Sequence, residues 1–222
     1  MRSELFVAGN LERQADQPFV LQNTRMLRAA VTGGRDVIAQ KGAMVAYQGA
    51  ITFAHEGSSG MKQMLKKAMS SDNMPLMRVS GTGEVFFATG GANVHIVVLE
   101  GDAITVNGPN LLAFESALTY DLQRVKGAGM MTGGVWNTHL SGTGLAALIT
   151  DGEPVILDCS TQPTFTDIEA TVAWSASLTP TVKSSMNLKA SLHGGSGEAF
   201  QYAFSGPGFV IVQPAEMRLA TS

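Results

Sequence analysis

The chain has 222 residues, 45% of them hydrophobic and only 15% charged, with 25 glycines. That balance is too apolar and too turn-rich for a disordered tail and leans towards a folded β protein. Fifteen basic against eighteen acidic residues give a formal charge of -3, and aromatic residues make up 7%, so nucleic acid is not an expected partner: few phosphates could be neutralised and few bases stacked.

The N-terminal stretch MRSELFVAGNLERQADQPF carries Glu4, Glu12 and Asp16 without an apolar core of signal-peptide length, and it is not an arginine-rich amphipathic transit sequence. No run approaches the roughly eighteen apolar residues of a membrane helix. One cysteine, Cys159, excludes an intramolecular disulfide and a thiolate zinc cage. A cytoplasmic location is expected, with peripheral membrane attachment as an option.

From residue 24 onward the same phrases are written three times. AMVAYQGAITF (Ala43 to Phe53) matches NLLAFESALTY (Asn110 to Tyr120) and ATVAWSASLTP (Ala170 to Pro180), which gives Tyr47, Phe114 and Trp174 one equivalent place. VSGTGEVFFAT, LSGTGLAALIT and FSGPGFVIVQP follow, with glycine pairs at 81 and 83, 142 and 144, and 206 and 208. Upstream, Val37 and Ile38 align with Ile104 and Thr105. The period is about sixty residues, longer than the short solenoid repeats. We therefore divide a single domain, residues 1–222, into an extension 1–23, three repeats at 24–90, 91–151 and 152–214, and a tail 215–222. The apolar runs, rich in Val, Ile, Leu and Phe and bounded by Gly, Asn, Asp or Pro, read as strands, and each glycine pair reads as a tight turn feeding a core strand. The expected fold is all-β: three β-sandwich repeats around a pseudo-threefold axis.

One segment breaks the β pattern. In Ser58 to Asn73, Met61, Met64, Leu65 and Ala68 recur at helical spacing beside Lys62, Lys66 and Lys67, which predicts a short amphipathic helix inside the first repeat. The equivalent gaps of the other repeats hold Arg124, Lys126, Met130 and Met131, then Lys183, Met186 and Lys189. Threefold packing would gather these residues into a basic, methionine-rich rim for a protein partner or an anionic membrane surface. The bland reading is a solvated rim over buried methionines.

Reactive constellations are weak. His139 and Ser141 lie two apart on an extended segment, with Asp151 or Asp158 as orienter, but Ser141 belongs to the thrice-written phrase, where Ser80 and Ser205 have no neighbouring histidine. Cys159 has no lysine, arginine or histidine near it in sequence to lower its pKa and reads as a buried small hydrophobe. Asp102, Glu115 and Asp121 are scattered at turns and strand ends, and the four histidines form no metal-binding pair. GSSGMKQ and GAGMMTGG lack the frames of nucleotide loops. No catalytic, cofactor or metal site is expected.

The blocks MVAYQGAITF, GTGEVFFAT, GDAITVNGPNLLAFESALTYDL and SGPGFVIVQ together resemble the mitochondrial biogenesis family named for altered inheritance of mitochondria protein twenty-four, from about Leu27 to Gln213. The resemblance implies TRAP-like β modules, similar to the tryptophan RNA-binding attenuation protein, arranged as repeats in one chain. It implies no catalytic motif. Fungal members are associated with the mitochondrial inner membrane and bacterial members are mostly of undefined function; a bacterial member fits this chain. The attenuation protein's tryptophan and RNA sites do not transfer with the fold. Two functions follow as expectations: a non-enzymatic scaffold, or a small-ligand or RNA-binding module between β units. Assembly into a homo-oligomer is left open.

Overall fold

The structure is a computed structural model and describes residues 3–13, 17–56, 76–124, 136–184 and 200–215. The helix expected over residues 58–73 lies outside them. Among the described residues there is no α-helix, only short 3-10 turns at Glu4–Phe6, Ala8–Asn10 and Gly108–Asn110. Everything else regular is β, and every pairing is antiparallel.

The strands fall in chain order as β1 (Phe19–Asn23), β2 (Met26–Val31), β3 (Val37–Gln40), β4 (Met44–His55) and β5 (Leu76–Phe87), then β6 (Asn93–Asn107), β7 (Leu111–Glu115), β8 (Thr119–Arg124) and β9 (Trp136–Thr150). They continue as β10 (Val155–Asp158), β11 (Thr164–Asp167), β12 (Thr171–Ser175), β13 (Thr181–Ser184), β14 (Phe200–Phe204) and β15 (Phe209–Val212). One sheet runs β1-β2-β5-β3-β7-β9-β6-β12-β15-β10, with β4 beside β5 and β8 beside β9; a second runs β11-β14-β13.

One pairing scheme recurs along the chain. β4 lies along the whole of β5, whose other edge is shared by β2 and β3. β6 lies along β9, whose other edge is shared by β7 and β8. In the third stretch the long central strand is divided, so β10 and β12 flank β15 while β11 and β13 flank β14. Registers agree to the residue: Tyr47 faces Val85, Phe114 faces Ala146 and Trp174 faces Val210. A one-residue bulge precedes each aromatic, at Val45, Leu112 and Val172.

The glycine pairs correct the expectation of tight turns. Gly81 and Gly83 lie inside β5, and Gly142 and Gly144 inside β9; only the third pair separates two strands. At Gly81 and Gly83 φ is +119° and +150°, and a Cβ would stand 2.1 Å from the Ala50 carbonyl oxygen and 2.0 Å from that of Gln48. The glycines bend a continuous strand and let β4 approach its backbone, a role that no side-chain-bearing residue fills. At the bend of β9 the Leu145 N–H donates to Glu115 Oε2 at 2.8 Å, and in the third stretch the Phe209 N–H donates to Ser175 Oγ at 2.8 Å.

Three apolar clusters form the core. The first joins Phe19, Leu27, Val79 and Phe87 to Leu112, Ala113 and Ile149 from farther along the chain. The second joins Ile104, Phe114 and Leu140 to Val172 and Ala173. The third, with Cys159, Trp174, Tyr202 and Phe204, is built from residues of the last stretch alone. Two strand junctions knit the clusters together, the first to the second and the second to the third. β3 pairs with β7, placing Val37, Ile38 and Ala39 opposite Glu115, Phe114 and Ala113. β6 pairs with β12, placing Ile104, Thr105 and Val106 opposite Ser175, Trp174 and Ala173.

Candidate functional site

The most reactive-looking pair in the sequence is not assembled as a triad. His139 and Ser141 share a face of β9, yet the partner of His139 Nδ1 is Thr105 Oγ1 at 3.3 Å, and its neighbour on β8 is Asp121. Asp158 caps Ser160 instead of orienting a histidine: its carboxylate accepts the Ser160 N–H at 2.8 Å, and hydrogen bonding with Ser160 holds its pKa below the usual value. The Asp151 N–H donates to Gln213 Oε1 at 3.1 Å. Cys159 is 1% exposed and packs in the third core. Among the described residues no group of three or more His, Cys, Asp or Glu is arranged to hold a metal ion.

A dense polar constellation among the described residues joins four residues that the sequence does not group. Asp36 precedes β3, Arg78 lies on β5, Glu56 follows β4 and Tyr120 lies on β8. Arg78 forks onto Glu56, Nε to Oε2 at 2.9 Å and Nη2 to Oε1 at 3.0 Å, while its Nη1 reaches Asp36 Oδ2 at 3.1 Å. The Tyr120 hydroxyl donates to Glu56 Oε1 at 2.9 Å. The Glu56 hydrogen bond is the first cause of a raised Arg78 pKa, and burial, followed by the bond to Glu56, raises that of the Tyr120 phenol. Every charge here is committed to a neighbour, so the cluster has no free acid or base to lend; it locks the β3–β7 junction.

A pH dependence follows. The folded-state phenol of Tyr120 titrates above its ordinary value of 10.0. Its contribution to stability is therefore present below about pH 10 and is lost as pH rises through the folded-state value. Tyr120→Phe should cost about 1–2 kcal/mol near neutral pH by removing the hydroxyl from a carboxylate acceptor. It should also reduce the loss of stability above pH 10 seen by urea unfolding. Part of that loss should persist, because burial raises the Tyr202 phenol too. An unchanged alkaline slope would separate Tyr120 from it.

A cleft of about 400 Å³ opens beside this junction, lined in part by Phe19, Arg35, Asp36, Val37 and Glu115. Its two carboxylates are already engaged, Asp36 by Arg78 and Glu115 by the Leu145 N–H. The expected basic rim is placed only in part. Arg124 ends β8 opposite Trp136, and Lys183 lies exposed on β13 with Nζ 4.8 Å from the Phe165 ring centroid. Met61, Lys62, Met64, Leu65, Lys66, Lys67, Lys126, Met130, Met131, Met186 and Lys189 lie outside the described residues. The chain positions flanking these segments do correspond: β4 and β5, β8 and β9, and β13 and β14 are each joined across one of the three gaps.

The surface feature that stands out is β4, a signal that alternation in the sequence alone does not give. Met44, Val45, Tyr47 and Phe53 are 37%, 53%, 49% and 37% exposed. The register equivalents of Met44, Val45 and Tyr47 are buried: Leu111, Leu112 and Phe114 at 2%, 0% and 0%, and, for Val45 and Tyr47, Val172 and Trp174 at 0% and 3%. The Tyr47 and Phe53 rings pack edge to face at 5.4 Å, as Phe114 and Tyr120 do at 5.3 Å, but among the described residues no second strand lies beside the first pair. Farther along the chain, Phe165 on β11 is 50% exposed.

Among the described residues no helix is long and apolar enough to cross a membrane. No curated protein matches the chain. Among solved structures, the X-ray structure of a Streptococcus pyogenes protein is similar, with a TM-score of 0.72 at 19% identity, covering 90% of this chain and 93% of that one. At that identity the likeness speaks for the fold: a nearly all-β chain of large antiparallel sheets. The family model described as mitochondrial biogenesis AIM24 matches residues 19–215, and the chain belongs to that family.

Proposed function

We propose that the protein is a non-enzymatic scaffold made of three related β units, residues 24–90, 91–151 and 152–214, of the TRAP-like kind and joined in series by the same strand junction. The recurring strand registers and bulges support the three-unit reading. The observation that carries the function is the uncovered apolar face of β4, since Val45 is 53% exposed where its equivalents Leu112 and Val172 are fully buried. A strand with this much exposed apolar surface is a docking edge or an aggregation hazard, and a folded protein keeps one when it has something to dock.

The test is affinity purification from the native cell with mass spectrometry, comparing wild type with Val45→Lys. Exposure at that position means the charge should leave the fold intact, with a circular dichroism spectrum like that of wild type. Loss of a captured protein from the variant is the expected result. Identical captures by the two chains would remove β4 as the working surface.

A further inference from the structure

Among the described residues β4 and β11 each keep an unpaired edge, as β1, β8, β10 and β13 do, but β4 and β11 alone are the two halves of a junction that the chain makes twice elsewhere. At the first junction β3 takes β7, with Ile38 opposite Phe114; at the second β6 takes β12, with Thr105 opposite Trp174. The register places β11 as the third counterpart of β3. Ile38 faces Arg78, Thr105 faces His139 and Phe165 faces Ala203, each partner three residues before the first glycine of its pair. β4 is in turn the counterpart of β7 and β12, with Tyr47 in the place of Phe114 and Trp174. Among the described residues β4 pairs with β5 alone and β11 with β14 alone.

The cores tell the same story. Leu112 and Ala113 enter the first cluster, and Val172 and Ala173 enter the second, each pair arriving from the following stretch of chain. The third cluster receives no such pair. The residues that would fill its slot, Val45 and Ala46, are exposed on β4.

We propose that a second copy of this chain supplies the missing strand: β4 of one copy pairs antiparallel with β11 of the next, Ala46 opposite Thr166, Tyr47 opposite Phe165 and Gln48 opposite Thr164. The proposal rests on the scaffold reading above and names the occupant of its β4 surface. Pairing would add main-chain hydrogen bonds along both edges and cover the exposed rings, the usual gains of strand addition. Where Tyr120 meets Glu56 at the first junction, the same offsets bring Phe53 to Lys183, an aromatic face to a cation. The contact is heterologous, so each added copy leaves one open edge, and the assembly closes as a ring or grows as a filament. Both complementary edges belong to this chain, which is why a second copy fits better than an unrelated protein.

The experiment mixes two singly substituted chains, Tyr47→Cys carrying an affinity tag and Phe165→Cys without one, under mild oxidation. Wild type, whose one thiol is buried at Cys159, serves as the control. Disulfide-linked heterodimer in the mixture, and none with either chain alone or with wild type, is the expected result. Light scattering should give wild type at least twice the chain mass, falling to the single-chain mass in Tyr47→Lys/Phe165→Lys. A strictly monomeric wild type, or a mixture without heterodimer while both variants keep the wild-type circular dichroism spectrum, overturns the proposal. So does a Tyr47→Cys/Phe165→Cys chain that links only within itself, because the junction would then close inside one molecule. If self-association fails while Val45→Lys still loses a captured protein, the scaffold reading stands and the self-pairing falls; if both measurements fail, both fall.

Discussion

Gly83→Val should destabilise the fold by about 3 kcal/mol or more, read as a lowered urea midpoint with an unchanged slope, and should leave little folded protein if the starting stability is ordinary. Two effects add at this position. A φ of +150° is strained for any residue with a Cβ, and that Cβ would sit 2.0 Å from the Gln48 carbonyl oxygen and 3.0 Å from the Gly49 Cα. Neither is the movable end of a side chain; both belong to the backbone of β4, so relief requires prying β4 from β5. Gly142→Val separates the two effects, because its φ is +116° while the nearest atom to its Cβ is Leu118 Cδ2 at 3.8 Å. Conformational strain alone should then cost about 1–2 kcal/mol. Gly33→Ala, with ordinary φ and nothing within 4 Å, should change stability by less than about 0.5 kcal/mol. Equal losses at Gly83 and Gly142 would show that close approach of the strands contributes nothing.

These glycines also mark where sequence reading stops. The phrase SGTG reads the same whether the chain reverses or continues, since both need glycine, and local composition favours the turn. Only the long partners β4 and β6 reveal continuation, and they come from distant parts of the chain. The strands themselves are legible because each is short, apolar and bounded by breakers, and the correspondence of Tyr47, Phe114 and Trp174 is legible because the surrounding block is written three times. Their burial is not. It depends on whether a neighbouring strand covers the ring, and β3 and β6 do so for Phe114 and Trp174 while Tyr47 has no such cover. The candidate surface is therefore a product of where the series of units begins, a property of the whole chain that no single motif carries. The ionic cluster was out of reach for another reason: Asp36, Glu56, Arg78 and Tyr120 sit in different blocks, and only the strand registers converge on them.

That cluster yields the second large effect. Arg78→Met should cost about 2–3 kcal/mol, because Glu56, with a side chain only 10% exposed, keeps a charge served by the Tyr120 hydroxyl alone. Breaking a fully buried pair costs about 3–5 kcal/mol, and the lower figure reflects an Arg78 side chain that is 36% exposed and partly screened by water. The loss comes mainly from stranding Glu56, so removing its charge as well should recover part of it. Arg78→Met/Glu56→Gln should be more stable than Arg78→Met by about 1 kcal/mol, and a double-mutant cycle should return a coupling of that size or greater. Asp36→Asn should cost less than Arg78→Met, since Asp36 has a single bond to the guanidinium and its carboxylate is 27% exposed. The coupling should also survive raised salt, because a carboxylate this far from solvent is weakly screened. Additive losses from Arg78→Met and Glu56→Gln would mean that the two side chains act independently, and the junction between β3 and β7 would then be held by apolar packing and strand pairing without them.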